Sequence, residues 1–178
     1  MNMKEHFSAL LHQRRSIRKY QENPLSEEMV KELLKAPLMA PTSKRCMSWE
    51  FIAVQDAELR EKLGACRAAN SAFAAKAPLV VVIAADTEKT DVWVEDASIA
   101  AAYLQLQAEA MGLGSCWVQI RNRQSSEEQS SEDYVRQLLQ IPSQYAVLCL
   151  IAIGEKQEEK PGFDDARIKW EKLHYDRF

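Results

Sequence analysis

Apolar positions recur along the chain in two rhythms. Phe7, Leu10 and Leu11 fall at helical spacing over about Lys4 to Gln13, and Met29, Val30, Leu33 and Leu34 mark one face of a helix over Glu27 to Ala36, with Ser26 placed to cap it. Trp49-Glu-Phe-Ile-Ala-Val54 is aromatic and β-branched, which predicts a strand, and Asp56 after it can cap a helix running to about Arg67. Leu79 to Ala85 and Ala146 to Ile153 are unbroken apolar runs. A strand with one wet face alternates polar and apolar residues, so these two predict central strands covered on both sides. Between them, Glu95 to Met111 has the length of a helix and stops at Gly112, Ser115 to Ile120 predicts another strand, and Glu132 to Leu139 a helix ahead of Ile141-Pro142. After Gly154 the chain turns polar as far as Gly162, then resumes with Trp170, Leu173, Tyr175 and Phe178, a tail that reads as an arm.

The 95–111 segment departs from a single apolar stripe. Ala97, Ala101, Leu104, Ala108 and Met111 lie on one side and Ile99, Tyr103, Leu106 and Ala110 on another, which predicts a helix buried nearly all round. Two readings stand. Either it is the central helix of a single-chain core, or one side packs in the fold and the other meets a second subunit, its many Ala residues permitting close approach.

Composition narrows the class. With 178 residues, 47% of them apolar, the chain can bury one sizeable core; no repeat or polar linker divides it, so residues 1–178 are expected to form a single domain. No apolar run approaches the roughly 20 residues of a membrane span, and no basic and apolar leader opens the chain, which points to a cytoplasmic protein with no membrane partner. Cys46, Cys66, Cys116 and Cys149 are widely spaced and are expected as free thiols, with no metal site. The three histidines, His6, His12 and His174, stand apart from any nucleophile motif. Glu95 and Asp96, adjacent on a helix, point in different directions and read as a helix start.

Against a net charge of −3, Arg14-Arg15-Ser16-Ile17-Arg18-Lys19-Tyr20 is a dense basic cluster. Guanidinium groups grip phosphate bidentately and Ser16 adds a neutral donor, so the cluster is a candidate anion site. A solvated helix end whose cations complement the C-terminal dipole is the alternative.

Two further segments, Ala40-Pro41-Thr42-Ser43-Lys44-Arg45-Cys46-Met47-Ser48-Trp49 and Met111-Gly112-Leu113-Gly114-Ser115-Cys116-Trp117, stand downstream of it. In order and spacing the three segments resemble the nitroreductase-like FMN oxidoreductases, from about residue 10 to the end. The resemblance implies an α+β fold, a mixed central β-sheet wrapped by helices, in a homodimer with a C-terminal arm and FMN at the interface. It implies that Arg14, Arg15, Ser16 and Arg18 hold the FMN phosphate and ribityl chain, and that the loop of Pro41, Thr42, Ser43, Arg45 and Met47 approaches the flavin ring from the other subunit. Here Arg45 stands where the family usually has Asn, Met47 where it has Gln and Ser48 where it has Pro. Arg45 thereby adds positive charge near the cofactor or an anionic substrate. By the same resemblance the backbone at Gln119 and Ile120 contacts the flavin N5 region, Asn70 is a polar ring contact, and Arg167 is the C-terminal cation in range of the phosphate, with Asp165 at the other position of the family's Lys-x-Arg pair.

The activity so implied is reduction of a small electron-poor acceptor, a nitro compound or quinone, by NADH or NADPH, with hydride passing through flavin N5 in a ping-pong cycle. No acid–base dyad is then required. Two other classes compete: a flavin-binding protein without turnover, prompted by Arg45 and Met47, and a nucleic-acid-binding module built on residues 14–19. The acidic charge balance and the lack of a second basic stripe count against the latter, and the expectation is no nucleic-acid partner.

Overall fold

The computed structural model describes residues 3–178. Helix α1 (Met3–Gln13) and helix α2 (Glu27–Leu38) precede strand β1 (Trp49–Val54); helix α3 (Ala57–Gly64), strand β2 (Leu79–Asp86), helix α4 (Trp93–Ala110), strand β3 (Leu113–Gln119), helix α5 (Ser131–Leu139) and strand β4 (Tyr145–Glu155) follow. The caps are local. Ser26 accepts a hydrogen bond from the Met29 amide at 3.2 Å, Asp56 from Leu59 at 2.8 Å and Ser130 from Asp133 at 2.9 Å, so each helix start satisfies one of its orphan amides. The helix after Asp56 ends at Gly64, short of Arg67. Gly112 leaves α4 with φ +76°, a left-handed turn that glycine adopts without strain.

The strands run β1-β2-β4-β3, and every neighbouring pair is antiparallel. This corrects the expectation of a mixed sheet: the one parallel pairing among the described residues is an isolated bridge between Ser16 and Ser115. The two unbroken apolar runs, β2 and β4, are the central strands, as their composition requires. Their side chains alternate between two cores. Val80, Val82 and Ala84 face a layer containing Leu63, Ala74 and Val135, while Leu79, Val81 and Ile83 face one containing Leu33, Ala101 and Leu104. The sheet is therefore sandwiched between α3 and α5 on one side and α2 and α4 on the other.

Helix α4 is not buried all round in the single chain. Ala97, Ala101, Leu104 and Ala108 are sealed against the sheet, whereas Ile99 and Tyr103 remain 38% and 40% exposed. This corrects the expectation of a helix buried nearly all round. From Pro161 onward the tail is exposed throughout, with Trp170 at 68% and Tyr175 at 81%. Among the described residues no helix is long and apolar enough to cross a membrane, and all four cysteines are free thiols.

Burial pushes the Cys66 thiol up to about 11 from an ordinary 9.0. The unfolded thiol ionises first, so its contribution to stability is complete below pH 9 and is lost as pH rises towards 11. Chemical denaturation should show a falling midpoint over that window, amounting to roughly 2 kcal/mol from this group. Cys66→Ala should flatten the decline, and an identical slope in wild type and variant would show that the thiol is not its source.

Candidate functional site

The basic segment is fastened to the start of β3. The Ile17 amide donates to the Ser115 carbonyl at 3.0 Å, and Ile17, 2% exposed, lies so close to Gly114 that an added Cβ would sit 2.7 Å from its Cγ2. Tyr20 closes the turn, its hydroxyl donating to the carbonyls of Ile17 at 2.5 Å and Ala152 at 3.3 Å. With Ile17 and Tyr20 inward, the polar residues between and before them face outward.

Cys116, one residue past the Ser115 that pairs with Ser16, registers the charge of this turn. Burial raises that thiol above its ordinary range, while Arg18, a hydrogen bond from Ser16, Lys160 and Arg14 each pull it back. Neither Arg14 nor Arg18 forms an ion pair among the described residues. Arg18 lies over the Phe73 ring, 5.6 Å from its centroid. Two polar cavities flank the segment. One, of about 420 Å³, is lined by Arg15, Lys156 and Lys160 with Glu109 and Glu159, and the other, of about 460 Å³, by Arg18, Lys19 and Lys76 with Glu22. Two guanidinium groups without an ion pair and a hydroxyl suit a phosphate ester, while the Lys160 ammonium beside them is paired with Glu158 at 3.3 Å.

The C-terminal stretch folds back over this turn. Lys160 Nζ donates to the Ser16 carbonyl at 2.6 Å, Glu158 accepts from the Arg18 amide at 2.6 Å, and the Phe163 amide donates to the His12 carbonyl at 2.7 Å. His12 Nε2 meets Asp165 at 2.6 Å; the Ser8 carbonyl first, then Asp165, hold that imidazole above its ordinary value.

The 41–49 loop is elsewhere. Lys44, Arg45 and Met47 have φ of 51°, 57° and 44°, all left-handed, and Met47 is 57% exposed. Asp96 on the first turn of α4 accepts from the Ser43 amide at 2.9 Å, and at the loop's base Ala40 and Trp49 pack on Ala100. Ser48 Oγ and Trp49 Nε1 are buried without a hydrogen-bond partner. Asp96 and Met111 stand at opposite ends of α4, roughly 22 Å apart at helical rise. Among the described residues no hydrogen bond joins the loop to residues 14–18 or 119–120.

A model of the nitroreductase family matches residues 11–70 and 64–155. The chain belongs to the nitroreductase family. Among solved structures it is similar to an FMN-dependent nitroreductase from Clostridium difficile R20291, at 47% identity and a TM-score of 0.93 over 95% of this chain and 98% of that one. An Archaeoglobus fulgidus protein, provisionally named NADH dehydrogenase/NAD(P)H nitroreductase, is 29% identical over 95% of this chain and 97% of its own length. A Thermus thermophilus NADH dehydrogenase is 27% identical over 90% of each.

Against the pattern expected of a nitroreductase, the residues divide. Arg14, Ser16 and Arg18 share one turn, and no contact among the described residues joins Asn70 to it. Arg15 instead donates to the Pro161 carbonyl, and at 3.5 Å to that of Gly162, so it anchors the tail. Arg167 lies over Phe163 in the exposed tail; the C-terminal cation at the turn is Lys160, which sequence reasoning passed over as part of a polar connection. Gln119 spends its side chain on Trp117 Nε1 and the Arg121 carbonyl, both at 2.9 Å, and the Ile120 amide is committed to Leu148 at 3.2 Å. Pro41, Thr42, Ser43, Arg45 and Met47 form a separate group. Asp96, read as a helix start, is the buried anchor of that group.

The tight seat of Ile17 on Gly114 yields a test. Gly114→Ala should cost about 1–3 kcal/mol by overpacking, measured as a lower urea midpoint, whereas Gly112→Ala, with open space but a left-handed φ, should cost about 1 kcal/mol. Wild-type stability in Gly114→Ala would contradict the close approach.

Proposed function

We propose that this chain is an FMN-dependent oxidoreductase that draws on NAD(P)H to reduce a small electron-poor acceptor such as a nitro compound or quinone. The observation that carries the reading is the basic turn itself: Ser16 is bridged to Ser115, Lys160 Nζ reaches the Ser16 carbonyl at 2.6 Å, and neither Arg14 nor Arg18 is ion-paired among the described residues. Names of its relatives support it: the 47% identical nitroreductase is called FMN-dependent, and the two curated relatives carry NADH or NAD(P)H in theirs.

In this reading Arg14 and Arg18 bind the phosphate as cations and Ser16 donates a neutral hydrogen bond, with Lys160, paired to Glu158, bracing the turn. Bound FMN supplies hydride acceptance from the nicotinamide and hydride delivery to the acceptor. The protein binds, orients and excludes water. Exposed Arg45 adds positive potential where an anionic acceptor would approach.

A single chain as one domain leaves the two halves of the site apart, because the loop is tied to one end of α4 and the phosphate turn to the other. The reading is therefore completed by a homodimer in which the 41–49 loop of one copy meets the phosphate turn of the second. Ile99 and Tyr103 on the outer side of α4 and the aromatic tail supply apolar surface for that contact. Ala101 and Ala108 face the chain's own sheet and take no part in it.

Purified protein should be yellow and release about one FMN per chain on heating. Arg14→Ala and Arg18→Ala should each weaken FMN by about 1.5–3 kcal/mol, roughly ten- to a hundredfold in Kd, and should affect riboflavin far less. Reconstituted protein without flavin, or variants that leave FMN affinity unchanged, would return the cluster to a solvated helix end.

A further inference from the structure

Residues 42–47 hold an expensive shape. Lys44, Arg45 and Met47 all sit in the left-handed region, and none is glycine, so the isolated loop would relax out of this conformation. Something must hold it. Asp96 is 4% exposed, and both of its carboxylate oxygens are spent on this loop: Oδ1 accepts from the Ser43 amide at 2.9 Å, and Oδ2 from the Cys46 thiol at 3.4 Å. The far end is tied by the Met47 amide donating to Thr42 Oγ1 at 3.2 Å.

An acidic residue in the first turn of a helix is ordinarily accounted for by the dipole, which a solvent-facing carboxylate serves equally well. Asp96 does not face solvent. It forms no ion pair among the described residues, so its burial is compensated by the helix N-terminus and the two loop donors. Its neighbour Glu95 is exposed and fits the ordinary description.

We propose that Asp96 is the positioning residue of the acceptor-side loop: its carboxylate clamps Ser43 and Cys46, locks the left-handed turn between them, and so fixes where Arg45 and Met47 are presented to bound FMN. The role rests on the FMN reading above; the clamp itself does not. Removing the carboxylate frees a backbone donor and a thiol and leaves the loop held to α4 only at its base, where Ala40 and Trp49 pack on Ala100.

The chain carries two probes of the loop. Lys44 and Arg45 are exposed tryptic sites inside it, and Cys46 is the half-buried thiol, the other three cysteines being buried. The experiment compares full-length wild type with Asp96→Ala and the conservative Asp96→Asn, first free of flavin and then loaded with FMN. Free of flavin, Asp96→Ala should raise trypsin cleavage after Lys44 and Arg45, and alkylation of Cys46, at least tenfold, with Asp96→Asn about threefold because its carbonyl still accepts from Ser43. In the loaded protein, FMN Kd should rise at least fivefold in Asp96→Ala and the visible band of bound flavin should shift, with Asp96→Asn intermediate in both.

Unchanged cleavage and alkylation in both variants would overturn the clamp. Faster loop probes with wild-type FMN affinity and spectrum would overturn the positioning role. If Asp96→Ala fails to fold, Asp96→Asn alone decides, since a shift in its probes without a change in circular dichroism separates loop release from general unfolding. Wild-type protein that takes up no FMN would overturn the flavin reading and the role built on it, while the flavin-free probes still decide whether Asp96 holds the loop.

Discussion

The arrangement depends on the length and placement of α4. Eighteen residues long, it lies across the sheet with Ala97, Ala101, Leu104 and Ala108 sealed beneath it, and each end leads to a different candidate segment. At its start Asp96 grips the 42–47 loop; past its end Gly112 turns the chain into β3, where Gly114 and Ser115 receive Ile17. A helix is stiff over this span, so the two segments cannot approach one another within a chain. The distance that keeps them apart is what a second copy would bridge.

The basic turn owes its position to small-residue packing more than to charge. Gly114 admits Ile17, Gly154 lies against Tyr20, and the buried Tyr20 hydroxyl ties the turn to β4, leaving Arg14, Ser16 and Arg18 on the outer side. The tail then adds Lys160 to the cluster and uses Arg15 and His12 as anchors. Cations that look equivalent in the sequence therefore divide between those without an ion pair, Arg14 and Arg18, and those that clasp the tail, and their partners distinguish them.

Much of the fold was legible because its strongest signals are local. The unbroken runs at 79–85 and 146–153 place β2 and β4 at the centre, the caps at Ser26 and Asp56 set helix starts, and Gly112 marks the end of α4. The antiparallel pairing of every strand was not legible, since an apolar run covered on both faces looks alike in either orientation. Asp96 was missed for a similar reason: its partners lie some fifty residues earlier in the chain, and a carboxylate at a helix start has a sufficient local explanation. Lys160 is farther still from Ser16, and nothing in a polar stretch of Glu and Lys marks which ammonium returns to the core. The two sides of α4 were correctly separated, but only packing shows that the Ala101 side faces inward and the Tyr103 side outward.

The central claim is that a flavin site forms only where two copies meet. Sedimentation velocity, recorded at once in the protein band and the visible flavin band across a dilution series, tests it most directly, with Tyr103→Glu as the variant that places a charge on the outer face of α4. The account predicts that wild-type flavin sediments with a species of two chains, and that dilution or Tyr103→Glu releases flavin in step with dissociation. Flavin that sediments at full occupancy with a single 20.3 kDa chain would contradict it.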